Sequence, residues 1–313
     1  MKTCLITGGT GFIGSALTRL MLEKGFLVRV IDDNSRGNFR RLTDVIDSLD
    51  IRVGDIRDSA LVSSALKGTD LVIHLAYING TINFYERPRE VLDVAILGIQ
   101  NILAGMEAYE IPELYLASSS EVYQNPGVFP TPEQIPLIVP DPFNPRYSYG
   151  LGKIVQEFLS IHAGTFLKNL AMFRPHNIYG PDMGFQHVIP EICSNISAEK
   201  GNTVMLKGDG SQTRSFCHIS DFVKGFELIL DSSQGREMFN IGTREEVSIS
   251  HLAKVIATSL GREISFTTSV APLGETNRRV PDISKLEKLG FTQAMTLEAG
   301  VKDYCNWYLS TSN

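Results

Sequence analysis

Short runs of apolar and β-branched residues alternate with amphipathic stretches over the first half of the chain. The runs are typical of buried strands, and apolar residues that recur three and four positions apart are typical of helices packed on a core. The predicted strands are Thr3–Thr7, Leu27–Ile31, Leu71–Leu75, Leu114–Ala117 and Leu170–Arg174. The predicted helices are Phe12–Lys24, Ser59–Lys67, Glu90–Ala108 and Tyr147–Leu167, the last with a buried face of Ile154, Val155, Phe158, Leu159 and His162.

This repeated order of strand and helix predicts an α/β fold, with a doubly wound parallel sheet that has helices on both sides. After about residue 175, loops rich in glycine, proline and asparagine separate shorter helices, near 188–198, 221–231, 248–259 and 294–308. The chain is therefore expected to form a Rossmann domain over 1–175 and a smaller lobe over 176–313, with some exchange of strands and helices between the two.

A glycine-rich segment, Thr7-Gly-Gly-Thr-Gly-Phe-Ile-Gly14, joins the first strand to the first helix. Gly8 permits a tight turn, Gly11 lets the backbone approach a diphosphate, and Gly14 allows close packing of the helix, whose N-terminus attracts the negative charge. Asp32 ends the next strand, where a carboxylate accepts hydrogen bonds from a ribose and repels a 2'-phosphate. NAD is thus favoured over NADP, although Arg36 lies close enough in sequence to weaken that preference.

Tyr149 and Lys153 are one helical turn apart at the start of the predicted helix 147–167. An ammonium group beside a phenol lowers the phenol's pKa from about 10 towards neutrality and so produces a base that can accept a proton from a sugar hydroxyl. The alternative is a core tyrosine followed by a solvated lysine. Three serines and an acid, Ser118-Ser-Ser-Glu121, follow the strand that ends at Ala117. Open α/β sheets bind ligands at this position, which makes these residues candidates for the active site. The alternative is that they are ordinary polar turn residues.

Charge and composition argue against several classes of function. The net charge is −6, with 43% hydrophobic and 20% charged residues, which predicts a folded protein and argues against binding to a nucleic-acid backbone. The four cysteines lack metal-ligand spacing, so no metal is expected. The N-terminal residues do not have the pattern of a signal peptide, and no run of about 20 apolar residues stands out, so a cytoplasmic enzyme without membrane contact is expected.

The motifs resemble those of the extended short-chain dehydrogenase/reductase family, the nucleotide-sugar epimerases, dehydratases and decarboxylases, over essentially the whole chain. The segments that carry the resemblance are Thr7–Gly14, His74–Ala76, Ser118–Tyr123, Tyr149–Lys153, Arg174–Pro181, Gly208–Phe216, Asn240–Gly242 and Arg278–Ser284. The resemblance implies a tightly bound NAD and a 4-keto sugar, formed when Tyr149 deprotonates the 4-hydroxyl group. It also implies a homodimer built through the helices near 90–108 and 147–167.

The resemblance assigns site residues as well. Ser119 shares the proton of the sugar hydroxyl with Tyr149, and Glu121 joins Ser119, Tyr149 and Lys153 in the catalytic set. The predicted cofactor contacts are Gly8, Gly11, Phe12, Ile13, Gly14, Asp32, Asn34, Asp55, Ile56, Leu75, Ala76, Tyr149 and Lys153. Within this set Asp55 and Ile56 would contact the adenine, although Asp55 by itself is also consistent with a surface acid. The predicted substrate contacts are Asn177, Gln212, Arg214, Glu275, Arg278 and Arg279.

Positions at which this sequence departs from the motifs of individual family members help to distinguish an epimerase, a decarboxylase and a dehydratase. Ser120 stands where 4,6-dehydratases have an aspartate, which disfavours simple dehydration. Glu121 and Arg279 are similar to residues of UDP-glucuronate decarboxylases, whereas Arg174–Pro181 is epimerase-like and the segment 78–83 departs from the decarboxylase pattern. A UDP-sugar 4-epimerase is therefore the first hypothesis and a UDP-glucuronate decarboxylase-like enzyme the second. A dehydratase or 3,5-epimerase acting on another nucleotide-sugar and a non-catalytic NAD sensor remain as alternatives.

Overall fold

The computed structural model describes residues 1–269 and 276–311. The described chain divides into two compact units. The first unit consists of Met1–Gln124, Pro136–Arg174 and Phe226–Phe239, and the second consists of Asn125–Ile135, Pro175–Gly225 and the described residues from Asn240 onwards. Glu275, a predicted substrate contact, lies outside the described residues.

Fourteen strands form one large sheet and three small ones among the described residues. In chain order they are β1 Thr3–Thr7, β2 Leu27–Asp32, β3 Leu49–Val53, β4 Leu71–His74, β5 Glu113–Ala117, β6 Asn169–Pro175, β7 Ile178–Tyr179, β8 Thr203–Leu206, β9 Thr213–Ser215, β10 Cys217–His218, β11 Arg236–Ile241, β12 Glu246–Ser248, β13 Ser265–Thr268 and β14 Arg278–Arg279. Most of the predicted strands agree with these bounds to within one residue.

The large sheet has seven strands in the order β11-β6-β5-β4-β1-β2-β3, and the neighbouring strands from β3 to β6 are parallel. The order reverses between β1 and β4, and ligands of such sheets bind outside the carboxyl ends of the strands at this reversal. The predicted Rossmann sheet is therefore confirmed. Its reversal point lies beside the glycine-rich segment, which follows β1 directly.

Ten α-helices lie among the described residues and are divided between the two units. They are α1 Phe12–Glu23, α2 Ser59–Leu66, α3 Thr81–Glu86, α4 Pro88–Ala108, α5 Ser148–Ile161, α6 Val188–Ala198, α7 Ile219–Ser232, α8 Ile249–Ser259, α9 Ser284–Glu287 and α10 Leu297–Thr311. Short 3-10 helices span Phe39–Leu42, Ile46–Ser48, Ser120–Tyr123 and Pro145–Tyr147. Helix α3 has no counterpart among the predicted elements.

Helix α4 packs against α2 and α5 and contributes to the core of the first unit. Gly98 allows the side chain of Ile56 to approach, since a Cβ added at Gly98 would lie 2.3 Å from Ile56 Cδ1. By length and composition α4 is also apolar enough to cross a membrane, which the sequence pattern did not predict. Core helices pass the same test, and eight residues of α4 are buried within this fold.

The prediction for α5 was wrong in two respects. The helix ends at Ile161, and none of the five residues of its predicted apolar face is fully buried. Phe158 and His162 are exposed, whereas Ile154, Val155 and Leu159 are half-buried, with Leu159 packed against the core of the first unit. The residues that α5 buries are small or polar: Ser148, Tyr149, Gly150, Gly152, Lys153, Gln156, Glu157 and Ser160. The physical reason is that this face meets helix α4 as well as the end of β5, where small residues allow close approach and polar ones find partners.

Candidate active site

The turn between β1 and α1 fits only glycine at two positions. Gly8 has φ +73°, and a Cβ placed there would lie 2.9 Å from the backbone nitrogen of Ala76. A Cβ at Gly14 would lie 1.9 Å from the carbonyl oxygen of Gly8. Helix α1 begins after Gly11 with no side-chain cap, so the N–H groups of its first turn are directed at the space beyond the turn. This arrangement suits the diphosphate of a dinucleotide.

Asp32 lies at the end of β2 and is buried. Its two carboxylate oxygens accept hydrogen bonds from the backbone N–H groups of Thr10 and Asn34, each at 2.9 Å. Asn34 has φ +56° and accepts a hydrogen bond from the Thr10 hydroxyl at 2.9 Å. Each oxygen of Asp32 retains a second lone pair, which can accept from a ribose hydroxyl. The buried carboxylate and the uncapped helix together fit NAD.

Arg36 links the loop after β2 to the segment 78–83. Its guanidinium donates a hydrogen bond to the carbonyl oxygen of Asn79, and the amide of Asn83 donates to the same oxygen at 2.7 Å. Burial lowers the pKa of Arg36, and the proximity of Tyr149 opposes that shift. The sequence suggested Arg36 only as a weak argument for NADP, whereas the structure directs this side chain towards the segment that leads into α3.

Asp55 and Ile56 follow β3 and were predicted to contact the adenine. The Asp55 carboxylate accepts hydrogen bonds from the Arg57 backbone at 2.7 Å and from Arg57 Nε at 2.9 Å, and these bonds hold its pKa below the usual value. The Ile56 side chain is buried in the core of the first unit. Their roles towards the cofactor stay predictions.

Leu75 and Ala76 follow β4 and approach the glycine turn. Their backbone N–H groups donate to the Thr7 hydroxyl, each at 3.2 Å, and that hydroxyl lies 2.7 Å from His74 Nδ1. The hydroxyl and the His74 ring therefore share a hydrogen bond, in which the donor depends on the tautomer of the ring. Complete burial, with a smaller contribution from the charge of Lys153, lowers the pKa of His74 to about 3, so this ring is neutral near pH 7.

Ser119 begins the 3-10 helix Ser120–Tyr123 just beyond β5. Its hydroxyl accepts a hydrogen bond from the backbone N–H of Glu121 at 3.1 Å. A Cβ at Gly150 would lie 3.1 Å from the Glu121 carbonyl oxygen, so this turn packs directly on the first turn of α5. The structure thus brings Ser119, Glu121 and the start of the Tyr149 helix together at one edge of the sheet.

The Tyr149 ring lies between two aromatic side chains. The Phe84 ring stacks on it with centroids 4.8 Å apart, and the Tyr77 ring lies on it at 4.9 Å with a tilt of 59°. Tyr77 also donates a hydrogen bond to the Tyr149 carbonyl oxygen at 3.3 Å. Because the ring is buried and held by these neighbours, the position of the phenol oxygen is set by packing.

Lys153 is almost completely buried on the same face of α5. Its ammonium donates to the Ala117 carbonyl oxygen at 2.6 Å and to Gln156 Oε1 at 3.0 Å, and it lies 4.4 Å from the centre of the Tyr77 ring. Burial is the largest influence on this group and lowers its pKa to about 7, while Glu157 acts in the opposite direction. Lys153 can therefore change its charge near neutral pH.

Sequence reasoning missed three residues that contact the catalytic pair: Tyr77, Phe84 and Gln156. Gln156 could have been found, because it lies three residues after Lys153 and seven after Tyr149, which places all three on one helix face. Tyr77 and Phe84 gave no such signal. They belong to the segment after β4 and to α3, whose position depends on tertiary contacts.

Most of the predicted substrate residues of the second unit gather around β9. In this small sheet β14 pairs with β9, so that Arg278 is opposite Thr213 and Arg279 is opposite Arg214. Arg214 donates to the carbonyl oxygens of Thr213 at 2.8 Å and Asn277 at 3.3 Å. Arg278 makes a two-point ion pair with Glu246, at 2.7 and 2.8 Å. The guanidiniums of Arg214 and Arg278 are thus both held by protein groups.

The remaining predicted substrate residues lie nearby in the same unit. Asn177 has φ +43° and donates from Nδ2 to the Ser215 carbonyl oxygen at 2.8 Å. Gln212 is buried, and its Oε1 has no hydrogen-bond partner among the described residues. Arg279 is buried and donates to the Thr276 hydroxyl at 3.1 Å. The roles of these residues stay predictions, and the part of the chain that the structure describes contains no cluster of three or more metal-ligating side chains.

Comparison with known proteins places the whole chain among relatives of diverse activity. Residues 4–242 match the model of the NAD dependent epimerase/dehydratase family. A dTDP-4-dehydro-6-deoxy-D-allose reductase of a Streptomyces species is 31% identical over 323 residues, which cover 98% of this chain and 96% of the relative. A UDP-N-acetyl-alpha-D-glucosaminuronate decarboxylase of Bacillus cytotoxicus is also 31% identical, over 100% of this chain and 99% of the relative.

A solved structure matches at the level of the fold and of the sequence. The UDP-glucose 4-epimerase of Thermotoga maritima, crystallised with UDP-glucose, superposes with a TM-score of 0.87 at 26% identity and covers 99% of this chain and 100% of its own. The resemblance inferred from the motifs is thereby confirmed. The chain belongs to the NAD dependent epimerase/dehydratase family, and its cofactor is NAD.

Proposed function

We propose that the protein is a UDP-sugar 4-epimerase that works through a 4-keto intermediate. The observation that carries the proposal is the position of the Tyr149 ring, which aromatic neighbours hold one helical turn from the buried Lys153 ammonium. Ser119, in the turn that packs on the same helix, adds a hydroxyl. A base, a cation and a second hydroxyl are the groups needed to remove a proton from a sugar alcohol.

Each residue has a defined part in this reaction. Tyr149 takes the proton of the 4-hydroxyl group, Ser119 shares that proton, and Lys153 stabilises the phenolate by its charge. The glycine turn, the N-terminus of α1 and Asp32 hold NAD, which when bound accepts a hydride from the sugar and later returns it. The 4-keto sugar turns over before the hydride returns, so that the C–H bond re-forms on the opposite face of C4, and Tyr149 gives the proton back to the oxygen.

Ser120 supports an epimerase over a dehydratase. The residue is buried in the 3-10 helix after β5 and carries a hydroxyl group, not an acid. A departing hydroxyl at C6 needs a proton from a group of suitable pKa, and a serine does not supply one near neutral pH. The 4-keto sugar is then expected to keep all its atoms.

The nucleotide is proposed to bind at the arginines around β9. A guanidinium binds a diphosphate through two parallel N–H groups. Arg214 and Arg278 already use such groups on protein carbonyls and on Glu246, so binding requires them to exchange partners. We assign this role to the lobe over 176–313, and NAD binding to the domain over 1–175. Asn177, Gln212, Glu275 and Arg279 complete the proposed contacts.

A UDP-glucuronate decarboxylase-like activity is the second candidate. Glu121 favours it, since this acid lies in the turn that packs on the Tyr149 helix, and so does the decarboxylase relative at 31% identity. In that reaction the 4-keto group withdraws electrons from the neighbouring carbon, and the carboxylate of the sugar leaves as carbon dioxide. A proton replaces it at C5, so the product is one carbon shorter.

One assay separates these activities. The purified enzyme with NAD is incubated with a panel of UDP-, dTDP-, GDP- and CDP-sugars, and the products are followed by mass spectrometry and proton NMR. Unchanged mass with inverted C4 identifies the 4-epimerase, loss of carbon dioxide the decarboxylase, and loss of water a dehydratase. Inversion at C3 and C5 identifies a 3,5-epimerase. NAD binding without turnover of any sugar would contradict an enzymatic role and favour a sensor.

A further inference from the structure

Gln156 is fixed between a helix and the catalytic lysine. The side chain has no exposed surface. Its Nε2 donates to the Ala95 carbonyl oxygen of α4 at 3.2 Å, and its Oε1 accepts from the Lys153 ammonium at 3.0 Å. A carbonyl oxygen only accepts and an ammonium only donates, so both neighbours require the same orientation of the amide.

The surroundings of Lys153 show what this amide contributes. The carboxylate nearest in the chain, Glu157, makes a two-point ion pair with Arg174. His74 is neutral near pH 7, and its protonated form would repel the ammonium. Tyr77 presents the face of its ring to the ammonium. The polar atoms that hold the ammonium are therefore the Ala117 carbonyl oxygen and the oxygen of Gln156.

We infer that Gln156 is a positioning residue, which holds the Lys153 ammonium at the carboxyl end of β5 and keeps it charged for its action on Tyr149. The amide stabilises the cation without a charge of its own. A carboxylate in its place would form an ion pair with Lys153 and cancel the positive field at the phenol. A hydrocarbon side chain in place of Gln156 would leave the buried Lys153 ammonium with the Ala117 carbonyl oxygen and the face of the Tyr77 ring.

Two substitutions move the titration of Lys153 in opposite directions. Lys153 has a pKa of about 7 in the native chain, because burial disfavours its charged form. Gln156→Leu removes an acceptor and should lower that pKa by at least about one unit, whereas Gln156→Glu adds a negative charge within hydrogen-bond reach and should raise it by at least about one unit. A residue that only fills space would leave the midpoint unchanged in Gln156→Leu, whereas Gln156→Glu shows that the Lys153 signal responds to a charge at this position.

The titration can be measured directly. The enzyme is loaded with NAD and labelled with carbon-13 at lysine Cε, and the Lys153 signal is assigned by its absence in Lys153→Met. The expected order of titration midpoints is Gln156→Leu below the native enzyme and the native enzyme below Gln156→Glu. Ser160→Ala is the control, since Ser160 is buried on the same helix and its hydroxyl makes no hydrogen bond to a described group. A Gln156→Leu midpoint equal to that of the native enzyme and of Ser160→Ala would overturn the inference.

The second measurement rests on the proposed function. With the sugar identified by the panel assay, the pH profile of kcat for each Gln156 variant should move in the same direction as its Lys153 midpoint, with KM changed less than kcat. Ser160→Ala should keep the native profile. If no sugar is turned over, the NMR titration still tests Gln156, so a failure of the proposed function and a failure of this inference are distinguishable.

Discussion

Glu157 and Arg174 form a two-point ion pair inside the first unit, with Nε–Oε1 at 2.8 Å and Nη2–Oε2 at 2.6 Å. Each side chain is only 4% exposed. Ser118 donates a further hydrogen bond to the carboxylate, and Arg174 Nη1 donates to the Tyr123 hydroxyl at 2.8 Å. Glu157 lies one turn beyond Lys153 on α5 and Arg174 near the end of β6, so the pair fastens the catalytic helix to the sheet.

Glu157→Gln should lower the free energy of unfolding by about 3 to 5 kcal/mol, because it leaves a buried guanidinium without a compensating charge. Urea denaturation followed by circular dichroism measures this loss. Glu287→Gln is the control. It removes the carboxylate of the exposed pair with Arg244, with side chains 37% and 49% exposed, and should cost less than about 1 kcal/mol. Equal losses in the two variants would contradict a structural role for the buried pair.

Tyr149→Phe should lower turnover by a factor of about 10² to 10⁴, since it removes the proposed base. The ring that packs on Tyr77 and Phe84 is retained, so folding and NAD affinity should stay at their native values. Steady-state kinetics and calorimetric titration with NAD test both statements. Tyr77→Phe is the matched control, because it also removes one phenol oxygen from this aromatic group and should keep most of the activity.

Asp32→Asn should reduce the preference for NAD over NADP. The native carboxylate repels a 2'-phosphate, and a neutral amide does not. The two dissociation constants, measured by calorimetry on cofactor-free enzyme, should therefore approach each other. Asn34→Ala is the control, because it loses the hydrogen bond from the Thr10 hydroxyl without a change of charge and should affect both cofactors alike. An unchanged ratio in Asp32→Asn would show that another group selects the cofactor.

The parts of the fold and the site that depend on local sequence could be predicted. The five predicted strands are short apolar runs, whereas β3 and β11 of the same sheet also contain charged residues. The turn needs glycine at Gly8 for its positive φ and at Gly14 because a Cβ would meet the carbonyl oxygen of Gly8. The spacing of Tyr149 and Lys153 places them on one helix face wherever the helix packs. These features identified the cofactor and the family before any three-dimensional information.

The parts that depend on which elements meet in space could not be predicted. Helix α5 has an apolar stripe, yet it buries Gln156 and Glu157. Gln156 finds partners in Lys153 and the Ala95 carbonyl oxygen of α4, and Glu157 in Arg174, which a sequence pattern does not show. The stacking of Phe84 on Tyr149 requires the position of α3, which nothing in the local pattern predicted. The pairing of Arg278 with Glu246 was missed for the same reason.

The stability of the protein should fall in mild acid because of His74. Its pKa in the folded chain is about 3, against 6.5 for an unperturbed histidine, so the folded state binds fewer protons than the unfolded state between these values. Stability that is present above pH 6.5 is therefore lost as the pH falls towards 3, by about 2 kcal/mol between pH 7 and pH 5.

Urea denaturation at pH 7 and pH 5 tests the contribution of His74. His74→Asn cannot titrate, and its oxygen can accept the hydrogen bond from Thr7, so its stability should vary less between the two pH values, by about 2 kcal/mol. Other groups titrate in both proteins and cancel in the comparison. The same pH dependence in both would exclude His74 as its source.

Exposed apolar side chains on α4 and α5 suggest how the predicted homodimer would form. These two helices pack on each other, and Phe158 of α5 and Leu97 of α4 are 65% and 45% exposed. Phe158, which was expected on the buried face of α5, is thus exposed, where a second copy of the chain could cover it.

Phe158→Asp should convert a dimer to a monomer in sedimentation velocity at micromolar concentration, because a charge would be buried at the interface without a partner. Phe185→Asp is the matched control, since Phe185 is also 65% exposed but lies outside these helices. It should leave the sedimentation coefficient at the native value. A native enzyme that sediments as a monomer, or a Phe158→Asp variant that stays dimeric, would exclude α5 from the interface and leave the exposure of Phe158 without this explanation.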